Sequence, residues 1–486
     1  MSGWTIAIML ALYVGAVLVV GALASRNAAR SPDEYFLAGR SLGTFVLFMA
    51  LFGTNCTAFV LVGIPGRAYH DGIGTLSVNA PLVALGVPLT FWAIGSPARR
   101  MAARLGALTP AELYARRFGS KTLGVVLFAV FTAYTLPYMV TAVKGAAVTL
   151  YVVSDQAVPR WLGGLGVVAV ALAYTALGGM RATAWTNVLQ GIIFLSFVLV
   201  AIAVMADSLG GVKAAMTAVY ERDKDLLRMG DHGLFAPRAF ASWSIVMAVT
   251  VIGFPHMLVR LMAGKDERAL QGASKLYPLA IMFLWVPVVL IGVWGATSFP
   301  GLAGPASDRI FSLMAARHLP PILAALGFLA VLAAVMSTLD AQILTLGSML
   351  TRDVLAPLRR AGTDANAQRE VRYGRVFGVG IAALVYAMAQ LVGNSIFDIA
   401  RFAFSGYVTL VPTLLLSVRW RRFTVAGALA SIAAGNLLLL AGEFWNMPTA
   451  GFLPVFFALI AALVAGVGVS LVTAPADRDL TRRAFG

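Results

Sequence analysis

The 486-residue chain is 60% hydrophobic and 12% charged, with a mean hydropathy of +0.85, which excludes a water-soluble globular domain and puts it among polytopic membrane proteins. A net charge of +16 does not mark a nucleic-acid partner, because the basic residues fall in short clusters between apolar runs, where they orient spans. The single cysteine, Cys56, excludes a disulfide framework and any multi-cysteine metal site.

The first apolar run, 4–24, ends in Ala22-Leu23-Ala24, a small-residue pattern like a signal cleavage site. No Lys or Arg precedes it, and Arg26 and Arg30 follow it, so it reads as an uncleaved span with its N-terminus outside. Further runs of roughly 20 apolar residues follow at 41–69, 73–95, 122–152, 161–178, 186–206, 239–262, 275–298, 320–349, 374–392, 397–417, 424–442 and 452–473. The total is about thirteen transmembrane helices. With the N-terminus outside, most of the 37 Lys and Arg lie on the inner side, in clusters around Arg40, Arg99 to Lys121, Arg181, Arg260 to Lys275, Arg352 to Arg375 (with Arg359 and Arg360), Arg419 to Arg422 and Arg478 to Arg483. The C-terminus is then cytoplasmic. No long polar segment separates the spans, so a fused soluble module is not expected.

Two spans are interrupted. Gly53-Thr54-Asn55-Cys56-Thr57, followed by Gly63-Ile64-Pro65-Gly66, breaks the second, and Gly253-Phe254-Pro255-His256 breaks the seventh. Freed backbone groups are tolerated at membrane depth only where they are buried in protein or line a watery cavity. Broken helices at corresponding positions of two halves mark a transporter binding site. The two breaks lie five spans apart, as two inverted five-helix repeats require. The expected organisation is a first helix and inner loop (1–40), repeats at 41–206 and 239–417 flanking an outer loop (207–238), and two peripheral helices with a short tail (418–486). In the ninth span, Ser337, Thr338 and Asp340 stand within a run long enough to cross a membrane. Polar groups there point to a functional site, and the hydroxyl pair suits half of a sodium site. Ala334, Ser337 and Thr338 share one helical face by their spacing. His-Glu-x-x-His and Gly-x-Ser-x-Gly signatures are both missing and the four histidines are scattered, so an enzyme is not expected.

Four segments carry a family resemblance: Phe36-Leu37-Ala38-Gly39-Arg40-Ser41-Leu42-Gly43, Gly63-Ile64-Pro65-Gly66-Arg67-Ala68-Tyr69, the stretch from Gly178 to Gln190 containing Trp185-Thr186-Asn187, and Ala334-Val335-Met336-Ser337-Thr338-Leu339. Phe254-Pro255-His256-Met257 with Arg260 adds to them. As a set they resemble the sodium/solute symporter family, which includes the sodium/proline, sodium/galactose and sodium/sialic acid symporters. The resemblance implies an all-α membrane protein with a LeuT-like five-plus-five inverted repeat. It also implies a cargo near the midplane and Na+ bound by backbone carbonyls of Gly53, Cys56 and Ala334 with the side chains of Ser337 and Thr338. Asn55 and Asn187 stand where relatives carry aspartates, which argues for one sodium per cycle. Asp340 is then expected to supply the compensation, tuning the ion's field or taking up a proton. A proton-coupled carrier using Asp340, or a sensor or channel that kept the fold without coupling, are the alternatives.

The expected cargo is a small, partly apolar organic carboxylate such as an amino acid or monocarboxylate. Too few hydrogen-bonding groups surround the breaks for a sugar. Candidate contacts are Asn55, Thr57, Ala58, Tyr134, Tyr138, Met247, Val251 and Phe254, and candidate coupling or gating residues are Asp340, Asn187, Arg67, Pro255 and His256. Arg67 with Asp71, and Asp398 with Arg401, are spaced as helical ion pairs. Lys144 is expected to snorkel outward, and His256 to be packed and bonded to backbone. The expected setting is a plasma membrane, specifically a bacterial inner membrane, with no oligomer required and with sodium, solute and lipid as the only partners.

Overall fold

A computed structural model describes residues 3–25, 32–356, 367–445 and 447–486; Arg26, Arg30, Arg359 and Arg360 lie outside the described residues. We number the membrane helices α1 to α13. The first six are α1 (Gly3–Ser25), α2 (Thr44–Asn55 with Phe59–Asp71), α3 (Gly74–Leu105), α4 (Lys121–Val153), α5 (Arg160–Ala173) and α6 (Gly179–Ser208). They are followed by α7 (Pro237–Gly253 with Pro255–Met262), α8 (Glu267–Ser298), α9 (Pro321–Leu355) and α10 (Arg372–Leu391). The last three are α11 (Ile396–Arg419), α12 (Val425–Phe444) and α13 (Pro454–Val472). Among the described residues nine helices are long and apolar enough to cross a membrane and two bent pairs add one each. The shorter apolar helices Ile8–Ala24 and Arg160–Ala173 fall where the first and fifth spans are expected.

Helices begin where the sequence supplies caps. Ser120, Asp266, Ser395 and Thr424 each accept a backbone N–H of the first turn with the side chain, relieving the donors that a helix start leaves unpaired. Several ends lie beyond the expected ones. α3 runs on to Leu105, through Arg99 and Arg100, and α6 starts at Gly179 instead of 186, because backbone hydrogen bonding continues past the point where hydropathy falls. Between α5 and α6 the chain kinks at Gly179, with φ +56° and ψ −164°.

Both expected breaks are present, each bent by 52°. In α2, Cys56 turns extended, and the Thr57 hydroxyl accepts the Phe59 N–H at 3.0 Å, replacing a bond the helix has lost. In α7, extended Phe254 precedes Pro255, which starts the second arm and lacks the N–H that a continuous helix would need. α9 packs against α4 and α6, and α2 against α8. Of the nine unbroken membrane helices among the described residues α9 is the most enclosed, with 83% of its apolar window buried, so its polar groups face protein. α10, at 22%, is peripheral. On the arginine-rich face the segment before α2 is tied to the end of α7, where Leu42 accepts Lys265 N–H at 2.9 Å and donates to Ala263 at 3.2 Å. The Arg40 guanidinium donates to the Ala107 carbonyl beside this pairing at 2.7 Å.

A Cβ at Gly179 would stand 2.7 Å from the Tyr35 carbonyl oxygen, on a backbone that only glycine adopts readily. Gly179→Ala should therefore cost about 1–3 kcal/mol, read as a lower melting temperature of the purified protein. An unchanged melting curve would contradict this backbone geometry.

Candidate functional site

The broken helix α2 meets α9 at the hydroxyl pair. Ser337 Oγ lies 2.8 Å from the Gly53 carbonyl oxygen and 2.8 Å from that of Ala334. Thr338 Oγ1 lies 2.9 Å from the Thr54 carbonyl and 3.2 Å from that of Ala334. Each hydroxyl has a single proton to donate, so these clustered oxygens outnumber the protons that can bridge them. A buried, oxygen-rich, proton-poor cluster is a surrounding that a small hard cation completes. Gly53 and Ala334, expected as ligands, are both here.

Thr54 was not among the expected ligands. Its carbonyl takes the position beside Thr338 because the helix holds its register through Asn55. Cys56, which was expected, has its N–H bonded to Phe52 at 3.0 Å, while the two hydroxyls bond to the carbonyls of Gly53, Thr54 and Ala334. Asn187 forms a second layer, donating from Nδ2 to Thr54 Oγ1 at 2.7 Å and to the Ser337 carbonyl at 3.2 Å. A Cβ at Gly53 would stand 3.2 Å from the Asn187 carbonyl, so glycine lets α6 come this close.

On the other side of the break, Asn55 Nδ2 donates to the Tyr277 hydroxyl of α8 at 2.6 Å. The buried Tyr138 ring of α4 lies 5.2 Å from Phe254 and 5.1 Å from Phe404, and Phe254 lies 4.7 Å from Tyr407. Phe59 touches both Phe404 and Trp285. The aromatic residues missing from the stretch before Pro255 are thus supplied by α4, α8 and α11. Ala58 packs on α4, where a Cβ at Gly145 would come within 2.4 Å of it. Met247 and Val251 are buried on the first arm of α7. Tyr134 departs from expectation: its hydroxyl donates to Asn436 of α12 at 2.7 Å, directing the side chain out of the paired repeats.

His256 stacks on Phe254 at 5.3 Å and is fully buried. The expected backbone bond is not formed among the described residues, since neither ring nitrogen has a partner there. Asp340 is buried within electrostatic reach of Tyr13, whose hydroxyl accepts from Gln190 at 3.0 Å.

At the opposite end of the bundle Arg67 pairs with Asp71 as expected and lies 5.3 Å over the Phe397 ring. The Lys144 ammonium donates to the Val392 and Asn394 carbonyls at 2.8 and 2.6 Å, where the unpaired carbonyls at the end of α10 attract a cation. Asp398 and Arg401 do not pair either: Asp398 accepts the Ser395 hydroxyl at 2.6 Å, and Arg401 reaches Glu443 of α12 at 3.3 Å. Asp308, in the loop between α8 and α9, accepts the Ile396 N–H at 3.0 Å. Burial pushes its carboxyl up to about 7, against the lowering effects of that N–H and of Lys144.

The chain matches the family model described as the sodium:solute symporter family over residues 35–435. It is 29% identical to the sodium/pantothenate symporter of Haemophilus influenzae, covering 84% of this chain and 84% of that protein. It is 26% identical to the sodium/proline symporter of Escherichia coli, covering 88% and 86%. A solved structure of a Na+-coupled sialic acid symporter, substrate-bound and outward-open, superposes with a TM-score of 0.79 over 97% of this chain and 99% of that one, at 17% identity, a likeness of fold. These findings agree with the resemblance carried by the motifs, and the all-helical LeuT-like architecture it implied is the one observed. The family is one of transporters, not enzymes.

The Asp308 carboxyl binds its proton more tightly when folded, about 7 against the ordinary 3.8. The folded state therefore holds more protons between those values, and stability falls as pH rises through that window. Asp308→Asn should flatten the decline of melting temperature between pH 4 and pH 7; an equal decline in both proteins would refute the assignment.

Proposed function

We propose, taking as premise that the chain belongs to the sodium:solute symporter family, that it imports a small organic carboxylate together with one sodium ion by alternating access. The single observation that carries the ion site is the double contact of Ser337 Oγ with the Gly53 and Ala334 carbonyls, 2.8 Å each. When sodium binds, the Ser337 and Thr338 hydroxyls turn their protons away and offer lone pairs. Together with the Gly53 and Ala334 carbonyls they replace the hydration shell, and Thr54 or Cys56 completes it as the broken arm adjusts. The ion joins α2 to α9, so it favours whichever arrangement keeps these helices in register. A cargo that favours the same arrangement then raises sodium affinity by the factor by which sodium raises its own. Asn187 presents a neutral amide beside Ser337, which leaves no carboxylate there for a second strongly held ion.

For the cargo, Asn55 with Tyr277 gives a polar end, while Tyr138, Phe254, Met247 and Val251 give an apolar body, with Thr57 and Ala58 at the break. We leave Tyr134 out, because its hydroxyl is committed to Asn436. Unwound backbone at the breaks offers N–H groups to a carboxylate. Relatives named for pantothenate and for proline, both carboxylates, support the same class. Pro255 and His256 act at the hinge of α7, and Arg67 at the outer approach. The arginine-rich face is taken as cytoplasmic, giving an outside N-terminus and cytoplasmic C-terminus in a bacterial inner membrane.

In proteoliposomes at constant pH, an inward sodium gradient should drive accumulation of labelled pantothenate or proline. Accumulation driven by a proton gradient alone would instead favour a carrier coupled through Asp340. In that case Asp340→Asn should abolish uptake that the sodium-coupled protein keeps. Ser337→Ala and Thr338→Ala should each raise the half-saturating sodium concentration by about tenfold or more, since a hydroxyl contact to a charge is worth roughly 1.5–3 kcal/mol. Wild-type sodium dependence in both variants would remove the ion site.

A further inference from the structure

Six arginines on the arginine-rich face have carboxylate partners: Arg40 with Asp33, Arg99 and Arg100 with Glu267, Arg116 and Arg352 with Glu112, and Arg181 with Glu34. Four of the others stand together. Arg421 and Arg422, in the turn after α11, and Arg478 and Arg482, on the terminal helix α14 (Arg478–Phe485), converge on one pocket of about 380 Å3, and none of them forms an ion pair among the described residues. Asp477 does not supply the missing charge, because its carboxylate caps its own helix through the N–H groups of Asp479 and Leu480 at 2.8 and 3.0 Å. Like charges gathered from two segments nearly sixty residues apart repel one another. The general excess of basic residues on this face explains their sign but not their convergence.

The pocket lies where the membrane surface should be. Arg422 donates to the Thr473 carbonyl at 2.9 Å and to that of Leu471 at 3.3 Å, capping the end of α13. From there α13 presents exposed Leu471, Val464, Leu463 and Ile460, spaced along one helical face. The helix that carries this apolar strip thus ends beside a concavity lined by guanidinium groups, each suited to paired hydrogen bonds with phosphate oxygens.

We propose that this pocket binds the phosphate of an anionic phospholipid, with Arg421, Arg422, Arg478 and Arg482 on the headgroup and an acyl chain along α13. Basic pockets beside membrane helices favour such headgroups, and the apolar strip separates a lipid from a free anion. The inference goes beyond the transport cycle and depends neither on the cargo nor on the sodium ligands.

The full chain would be placed in nanodiscs of phosphatidylcholine with or without phosphatidylglycerol, and lipid retention measured by native mass spectrometry alongside the melting temperature. Phosphatidylglycerol should be retained selectively and raise the melting temperature. Arg421→Gln, Arg478→Gln and Arg482→Gln combined should weaken its affinity on the order of a hundredfold, since each basic residue near an anionic surface contributes roughly a factor of five. All three side chains are exposed, and Arg482→Gln alone, with about a fivefold loss, covers the case in which the triple variant misfolds. Equal retention of both lipids, or of phosphatidylglycerol by wild type and variants alike, would overturn the proposal. So would inorganic phosphate alone matching the stabilisation, because the ligand would then be a free anion.

Discussion

Backbone carbonyls released inside a membrane must find partners, and where they find them governs this molecule. Hydrocarbon offers nothing to an unpaired peptide group, so the break in α2 is tolerable only if another element receives the oxygens it frees. α9 does so with the Ser337 and Thr338 hydroxyls. That obligation fits the enclosure of α9, the most buried of the unbroken spans, the close approach of α6 at Gly53, and the neutral Asn187 amide behind the contact. At the break in α7 the contacts run the other way: Gly253 lies against the Tyr407 carbonyl and the Thr250 hydroxyl donates to the Phe404 carbonyl at 3.2 Å, so the break packs closely on α11. α9, seven spans after α2, and α11, four spans after α7, are thereby the helices against which the two breaks rest.

How much of this could be read from the chain follows from which features are local. A span is a local property, so its existence and approximate centre were legible from hydropathy. Its ends were less so, because Arg99, Arg100 and Arg181 continue helices beyond the apolar run. Both breaks were legible because glycine and proline act on their own backbone. The serine and threonine of α9 were legible as polar groups inside hydrocarbon. Their carbonyl partners were only partly so: whether Thr54 or Cys56 faces Thr338 depends on where along the break the helix loses its register, which no residue type declares.

Residues that arrive from distant helices were out of reach. Tyr277, Phe404 and Tyr407 build much of the wall around the breaks, yet each sits in an ordinary apolar helix and gains its place only through packing. Tyr134 and Tyr138, one helical turn apart, look equivalent in sequence. Gly406 separates their roles, since a Cβ there would collide with the Tyr134 ring, and its absence lets that ring pass toward Asn436. The partners of Lys144 and Arg401 were out of reach for a related reason, being the carbonyls after α10 and a glutamate on α12.

The break in α2 contains Cys56, the sole cysteine of the chain, fully buried and outside any disulfide. Nature has therefore installed a single sulfhydryl reporter at the joint between the two arms, with no competing thiol to remove. Alkylation by a small maleimide becomes a direct clock of how often that joint opens to water.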